Sequence, residues 1–174
     1  MSGKLTAFGQ EAIPTVSEEQ NNIHAGHFFS AYVHNSSLAA AALLYIEMRI
    51  PAGIEVHLKQ SSFYNSDKGF FKLTEVSSYT PGSVPITPYN RDRRNIPKKT
   101  NLVLMQNPSG IGGAGLDEMY FDGTQQSPGI LMSSDWEWIL KDDSVYILSL
   151  RNDGSSASIA ILRANWYEHV IAQQ

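Results

Sequence analysis

The stretch DWEWILKDDSVYILSLRNDGSSASIAILRANWYEH, residues 135–169, decides the fold. Trp136, Trp138 and Leu140 alternate with Glu137, Ile139 and Lys141, and Tyr146, Leu148 and Leu150 alternate with Ile147, Ser149 and Arg151. A third run carries Ile159, Ile161 and Leu162 up to Trp166 and Tyr167. A repeat of two is the period at which successive side chains point to opposite faces of a strand, so all three runs read as β. Between the second and third runs, residues 152–156 supply Asn, Asp and Gly, which enter the left-handed conformation at low cost; a hairpin is predicted there. All three tryptophans of the chain lie in this segment. Aromatic rings bury about 150–250 Å² each, so Trp136, Trp138, Tyr146, Leu148 and Trp166 are expected to form the framework core of a three-stranded meander.

Outward from this segment the same patterns recur. Residues 43–50 and the alternating Ile54, Val56 and Leu58 flank Pro51-Ala52-Gly53, which reads as two strands about a turn. Residues 38–48 also have helical propensity, being rich in Ala and Leu without Gly or Pro. Strand is the simpler reading for 43–50, and 38–42 fit either state. NSDKG at 65–69 is a further turn, followed by a strand at 70–76. Pro81, Gly82, Pro85 and Pro88 mark 77–88 as loop with at most an edge strand. Residues 102–105 read as a short strand, 109–115 as a glycine-rich surface loop, and 119–121 as a brief pairing before the turn at 122–123. Seven to nine strands at this spacing describe an all-β fold: a single antiparallel β-sandwich of jelly-roll type spanning 23–174. Residues 1–22 are polar and without lasting period, and read as an extended N-terminal arm that a partner orders.

Composition narrows the function. A chain of 174 residues suffices for one core. Its net charge of -4 gives no general attraction to nucleic acid or to an anionic membrane. The absence of cysteine excludes thiolate catalysis, zinc–thiolate sites and disulfides. No apolar run follows Lys4, and the longest one, 38–46, is half of the ~20 residues that a membrane span needs. A soluble protein made in the cytosol is expected.

Few motifs carry chemistry. Gly110, Gly112 and Gly115 have the G-x-G-x-x-G spacing of a dinucleotide site, but the turns at 122–123 and 128–129 leave no room for the helix whose free amides would meet the pyrophosphate. His24 and His27 would share a metal only on a helix, which Gly26 opposes; His34, His57 and His169 stand alone. Asp117-Glu118 and Asp142-Asp143 are sequence neighbours, so on a strand they would face opposite ways, and no Ser-His-Asp order is present. No catalytic residue, metal or cofactor is therefore expected. Five of the thirteen basic residues, Arg91, Arg93, Arg94, Lys98 and Lys99, lie within 91–99. With only Tyr89 nearby to stack a base, the cluster reads as a solvated loop or a contact for an acidic protein surface rather than a nucleic-acid site.

Residues 78–95, then TNLVLMQNPSG at 100–110, then the stretch 134–169 resemble small virion accessory proteins of tailed bacteriophages. Asn90 to Arg94 fall at that family's N-R-x-R-like stretch, 138–141 at its W-x-L-K-like strand, 146–152 at its Y-x-L-x-L-x-N strand and 166–168 at its closing W-Y-E. The similarity covers about the last 105 residues and rests on β-framework motifs. It implies a β-sandwich that decorates or cements a capsid from outside, bound to the major capsid protein, or else a tail or head-tail adaptor subunit. A non-enzymatic homotrimer located in the virion and assembled in the host cytoplasm is the expectation, with Arg91, Arg93, Arg94, Lys98, Lys99 and the arm as capsid contacts. A carbohydrate-binding, lectin-like module is the reading from another class, since jelly rolls present aromatics to sugars.

Overall fold

The computed structural model describes residues 18–94, 98–122, 130–131 and 136–171. A short helix α1 (Glu18–His24) leads into twelve strands: β1 (Phe28–Leu38), β2 (Leu43–Ile50), β3 (Ile54–Asn65), β4 (Gly69–Thr80), β5 (Val84–Pro85), β6 (Tyr89–Asn90), β7 (Val103–Gln106), β8 (Ser109–Phe121), β9 (Ile130–Leu131), β10 (Trp138–Leu140), β11 (Ser144–Asn152) and β12 (Ser158–Val170). They form two antiparallel sheets packed as a sandwich. One has the order β10-β3-β12-β1-β6, with β9 also on β3; the other has the order β5-β7-β2-β11-β4-β8. The pairs β1/β12, β2/β11, β3/β10 and β4/β8 are nested inside one another. The chain is thus a long hairpin rolled so that its pairs fall alternately in the two sheets, which is the arrangement of a jelly roll.

Three expectations are corrected by this topology. The three C-terminal runs are strands, but no two of them pair: β10 and β12 lie in one sheet, separated by β3, and β11 lies in the other. The turn at 152–156 therefore carries the chain between sheets instead of closing a hairpin. Asn152 holds it there. Its buried amide donates to the carbonyls of Leu38 (2.9 Å) and Ser156 (2.8 Å) and accepts from Gly154 N (3.0 Å) and Asn65 Nδ2 (3.2 Å), so the turns after β1, β3 and β11 meet on one side chain. Second, the glycine-rich 109–115 is no loop but the first half of β8, paired to β4 through several register shifts. A Cβ at Gly113 (φ +152) would lie 2.1 Å from the carbonyl of Glu75, so the glycine permits a close backbone approach at a bulge. Third, α1 begins at Glu18, inside the stretch read as arm, and Asn22 is buried. Gly26 (φ +73) terminates this turn of helix in the left-handed conformation. Residues 1–17 lie outside the described residues. Residues 39–42 are a turn, with β2 starting at Leu43.

The core fills the space between the sheets. Tyr146, Leu148 and Leu150 of β11 face Leu162, Ala164 and Trp166 of β12 across it, and Phe63 of β3 stacks on Phe71 of β4 with centroids 4.7 Å apart. Trp166 is fully buried against Phe29 (5.8 Å). Trp138, opposite Leu58, points to the same side, yet it and Trp136 are only half-buried against the core because β10 is an edge strand. The framework aromatics therefore differ in what they contribute. Trp166→Ala is expected to cost about 3–5 kcal/mol, a large part of the roughly 5–15 kcal/mol that holds such a domain. Trp138→Ala should cost less than half of that, as read by urea unfolding of both variants. Equal losses would contradict the assignment of Trp138 to the sandwich margin.

Candidate functional site

The segment between β4 and β8 is an insertion that spans the open side of the sandwich. Its β6 pairs with β1 and its β7 with β2, so it caps an edge of each sheet, and Ile86, Leu102 and Leu104 enter the core. Two buried carboxylates fasten it. Glu47 on β2 accepts from the backbone N–H of Gly82 (2.7 Å) and is paired with Arg49. Glu168, facing inward on β12, accepts from Asn101 N (2.9 Å), Asn101 Nδ2 (2.9 Å), Trp166 Nε1 (2.8 Å) and the Thr100 hydroxyl. A buried charge persists only when its acceptor sites are filled, and here four donors converge on it.

The basic loop rises between these anchors. At its start Asn90 is buried; its amide donates to the carbonyls of Gly26 (2.8 Å) and Lys98 (3.1 Å), and its Oδ1 accepts from Asp92 N (2.8 Å). Arg91 places its guanidinium 4.7 Å over the Phe28 ring. Arg94 donates from Nε to Asp92 (3.1 Å) and from Nη2 to His24 Nδ1 (2.8 Å), and Lys98 Nζ donates to His27 Nε2 (3.0 Å). Hydrogen bonds from Arg94 hold the Asp92 carboxyl below the usual carboxylate range. Arg93 and Lys99 are exposed and carry none of these contacts. Residues 95–97 lie outside the described residues. The structure thus brings Arg91, Arg93, Arg94, Lys98 and Lys99 to one corner, and it sets that corner against α1, from which residues 1–17 lead off.

A second cluster was not legible in the sequence. On the outer face of the first sheet, His57 of β3 lies with Nδ1 2.8 Å from Glu137 Oε1 and Nε2 2.9 Å from Glu55 Oε1. The Tyr167 hydroxyl donates to Glu137 (2.9 Å), Lys59 pairs with the same carboxylate, and the His57 ring stacks on Tyr167 at 4.4 Å. Burial works to raise the Glu137 pKa, but the bonds from Lys59, His57 and Tyr167 outweigh it and hold the group below the usual carboxylate range. With both imidazole nitrogens and the phenol engaged inside the cluster, the arrangement works as a clamp that ties the start of β10 to β3 and β12. Alternation alone places Glu55, His57 and Lys59 on one polar face; their meeting with Glu137 and Tyr167 needs the non-local register. Among the described residues no three His, Asp or Glu side chains are grouped to hold a metal ion. A depression of about 610 Å³ on the second sheet is lined by Glu75 and Lys141, which are already paired with each other at 2.7 Å.

Two outcomes are expected from this geometry. Glu168→Gln turns a donor toward groups that are themselves donors and removes the charge, so it should cost about 2–3 kcal/mol and speed amide exchange at 100–102 selectively; unchanged exchange there would refute the fastening role. His27 is held below the ordinary imidazole value of 6.5, first by burial and then by Lys98 and His169, with Glu168 partly opposing. The unfolded chain therefore binds this proton first, and the folded state loses stability as pH falls below 6.5 toward the depressed value. The melting temperature of His27→Gln should fall less than that of the wild type between pH 7 and pH 5.

No protein-family model, curated protein or solved structure matches the chain.

Proposed function

We propose that this jelly roll is a non-enzymatic structural protein of a phage virion, a decoration or cement subunit that binds the outer surface of the head. The observation that carries the reading is the convergence of the basic loop and the root of the N-terminal segment on one corner, through Arg94–His24, Lys98–His27 and Asn90–Gly26. A chain with net charge -4 that gathers five cations on a loop anchored at both ends presents a local contact for an acidic protein surface. Jelly rolls are also recurrent folds of viral coats and lectins. Weak contacts become strong when copies are linked, so a trimer bridging neighbouring major capsid proteins is the assembly this reading expects. A tail or head-tail adaptor subunit would use the same corner at a single vertex, and a count of copies per particle separates the two.

Co-sedimentation with capsids stripped of the wild-type protein tests the docking. Arg93→Glu combined with Lys99→Glu should leave the fold intact, because both side chains are exposed. At low salt the pair should weaken binding about thirtyfold or more, as each exposed charge is worth ~1 kcal/mol at 4 Å in water. The loss should shrink at high salt, where screening shortens the reach of exposed charges. Deleting residues 1–17 should also weaken binding while preserving the melting curve. Full binding by both variants would overturn this docking mode.

One observation favours a carbohydrate-binding reading. Tyr32 of β1 and Tyr89 of β6 are 50% and 47% exposed, with near-parallel rings 6.5 Å apart. Such a pair could stack on sugar rings. In a glycan array, binding lost on Tyr32→Ala and Tyr89→Ala but kept in the charge-reversal variant would promote this reading over the first.

A further inference from the structure

The basic corner contains two imidazoles in an unusual role. His24 Nδ1 lies 2.8 Å from Arg94 Nη2 and His27 Nε2 lies 3.0 Å from Lys98 Nζ. Guanidinium and ammonium groups only donate, so each of these ring nitrogens must offer a lone pair and is unprotonated in the free protein. Two of the five cations that would meet a partner are therefore occupied by ring nitrogens whose lone pairs can also take a proton.

We propose that the corner binds an acidic protein partner together with protons at His24 and His27, so that docking tightens as pH falls from 7.5 to 5.5. The inference rests on the docking role given above to this corner. A partner carboxylate that lands on Arg94 or Lys98 takes over the N–H that the imidazole was accepting. The released ring nitrogen then takes one proton from solvent, becomes a donor, and adds a positive charge beside the carboxylate. The surroundings favour this order of events. His27 faces Lys98 of the loop and His169 and Glu168 of β12; the first two oppose a charge on it in the free state, and Glu168 alone favours one. His24 faces Arg94 and, across it, Asp92. His169 in turn touches His57, whose ring is held between Glu55 and Glu137. Among the described residues, the carboxylates hydrogen-bonded at the corner are committed to other partners: Asp92 to Arg94, and Glu168 to Trp166, Thr100 and Asn101. The new negative charge is the partner's. Glutamates of a partner, with pKa values near 4.3, remain ionised across the whole interval.

The test is calorimetric titration of the full chain with an oligoglutamate peptide of about ten residues, at low salt, at pH 7.5 and 5.5 and in two buffers of different ionisation enthalpy. Each charge gained about 4 Å from a carboxylate contributes roughly fivefold in water. The wild type should bind about tenfold or more tightly at the lower pH, with a buffer-dependent enthalpy that reports proton uptake. His24→Gln combined with His27→Gln keeps an oxygen acceptor for Arg94 and Lys98 but cannot take a proton; it should bind equally at both pH values. A wild-type affinity that does not change with pH, or a double variant with the wild-type pH dependence, overturns proton coupling and leaves the acidic-partner reading standing. Absence of binding at both pH values overturns both.

Discussion

The buried Glu168 carboxylate is the interaction on which the rest of the basic corner depends. It stands on the inner face of β12, one turn of the pleat beyond Trp166, where the core ends and an apolar side chain would leave the mouth of the sandwich open. Instead the two oxygens collect the indole N–H of Trp166, the Thr100 hydroxyl and both nitrogens of Asn101. Desolvating a carboxylate is costly, and only a full set of donors offsets it. The far end of the basic loop is thereby fixed to the last strand of the chain, as Asn90 fixes the near end to Gly26. A charged loop gains binding strength from such posts, because less side-chain and backbone freedom is lost when the partner arrives.

Much of the fold can be read from residue types alone, and what cannot has a common cause. Alternation identifies β2, β3, β10, β11 and β12, since each is buried on one face at least, and the turns at 51–53 and 65–69 carry the expected Gly, Pro, Asn and Asp. What alternation does not contain is which strand lies beside which. Every main ladder here joins strands far apart in the chain, so the apparent meander of 136–167 is divided between two sheets. The glycines of β8 mislead for a related reason. Their composition is that of a loop, while the close approach of Gly113 to the backbone of Glu75 and Val76 exists only once β4 is the neighbour. Trp138 shows the same limit for burial: its face is set by the alternation, but its degree of burial by the position of β10 at an edge.

The site follows this division. The cluster of Arg91, Arg93, Arg94, Lys98 and Lys99 is visible in the sequence as charge density. Its pairing with His24 and His27 is not, nor is the clamp of His57, Glu137 and Tyr167, because those contacts join residues that the register alone brings together. Sequence spacing suggested that His24 and His27 be tested against each other as metal ligands. The structure gives each of them a cation as neighbour instead, Arg94 for His24 and Lys98 for His27.

The nested pairing also explains why the corner lies where it does. In a rolled hairpin the first strand pairs with the last, so Phe28 stands opposite Tyr167 and the carbonyl of His27 accepts from Glu168 N at 3.3 Å. The N-terminal segment must leave the sandwich beside the end of β12. The insertion between β4 and β8 reaches the same place because its β6 extends the first sheet beyond β1. Three distant parts of the chain, residues 24–28, 90–94 with 98–101, and 166–169, therefore contribute to one surface, and none of them can build it alone. His27 receives a hydrogen bond from Lys98 and packs on His169 only when both the β1/β12 and the β1/β6 ladders are closed. Charge density on a loop would attract an acidic surface in an unfolded chain as well as in a folded one. Its fixed placement against α1 and the end of β12 belongs to the completed jelly roll.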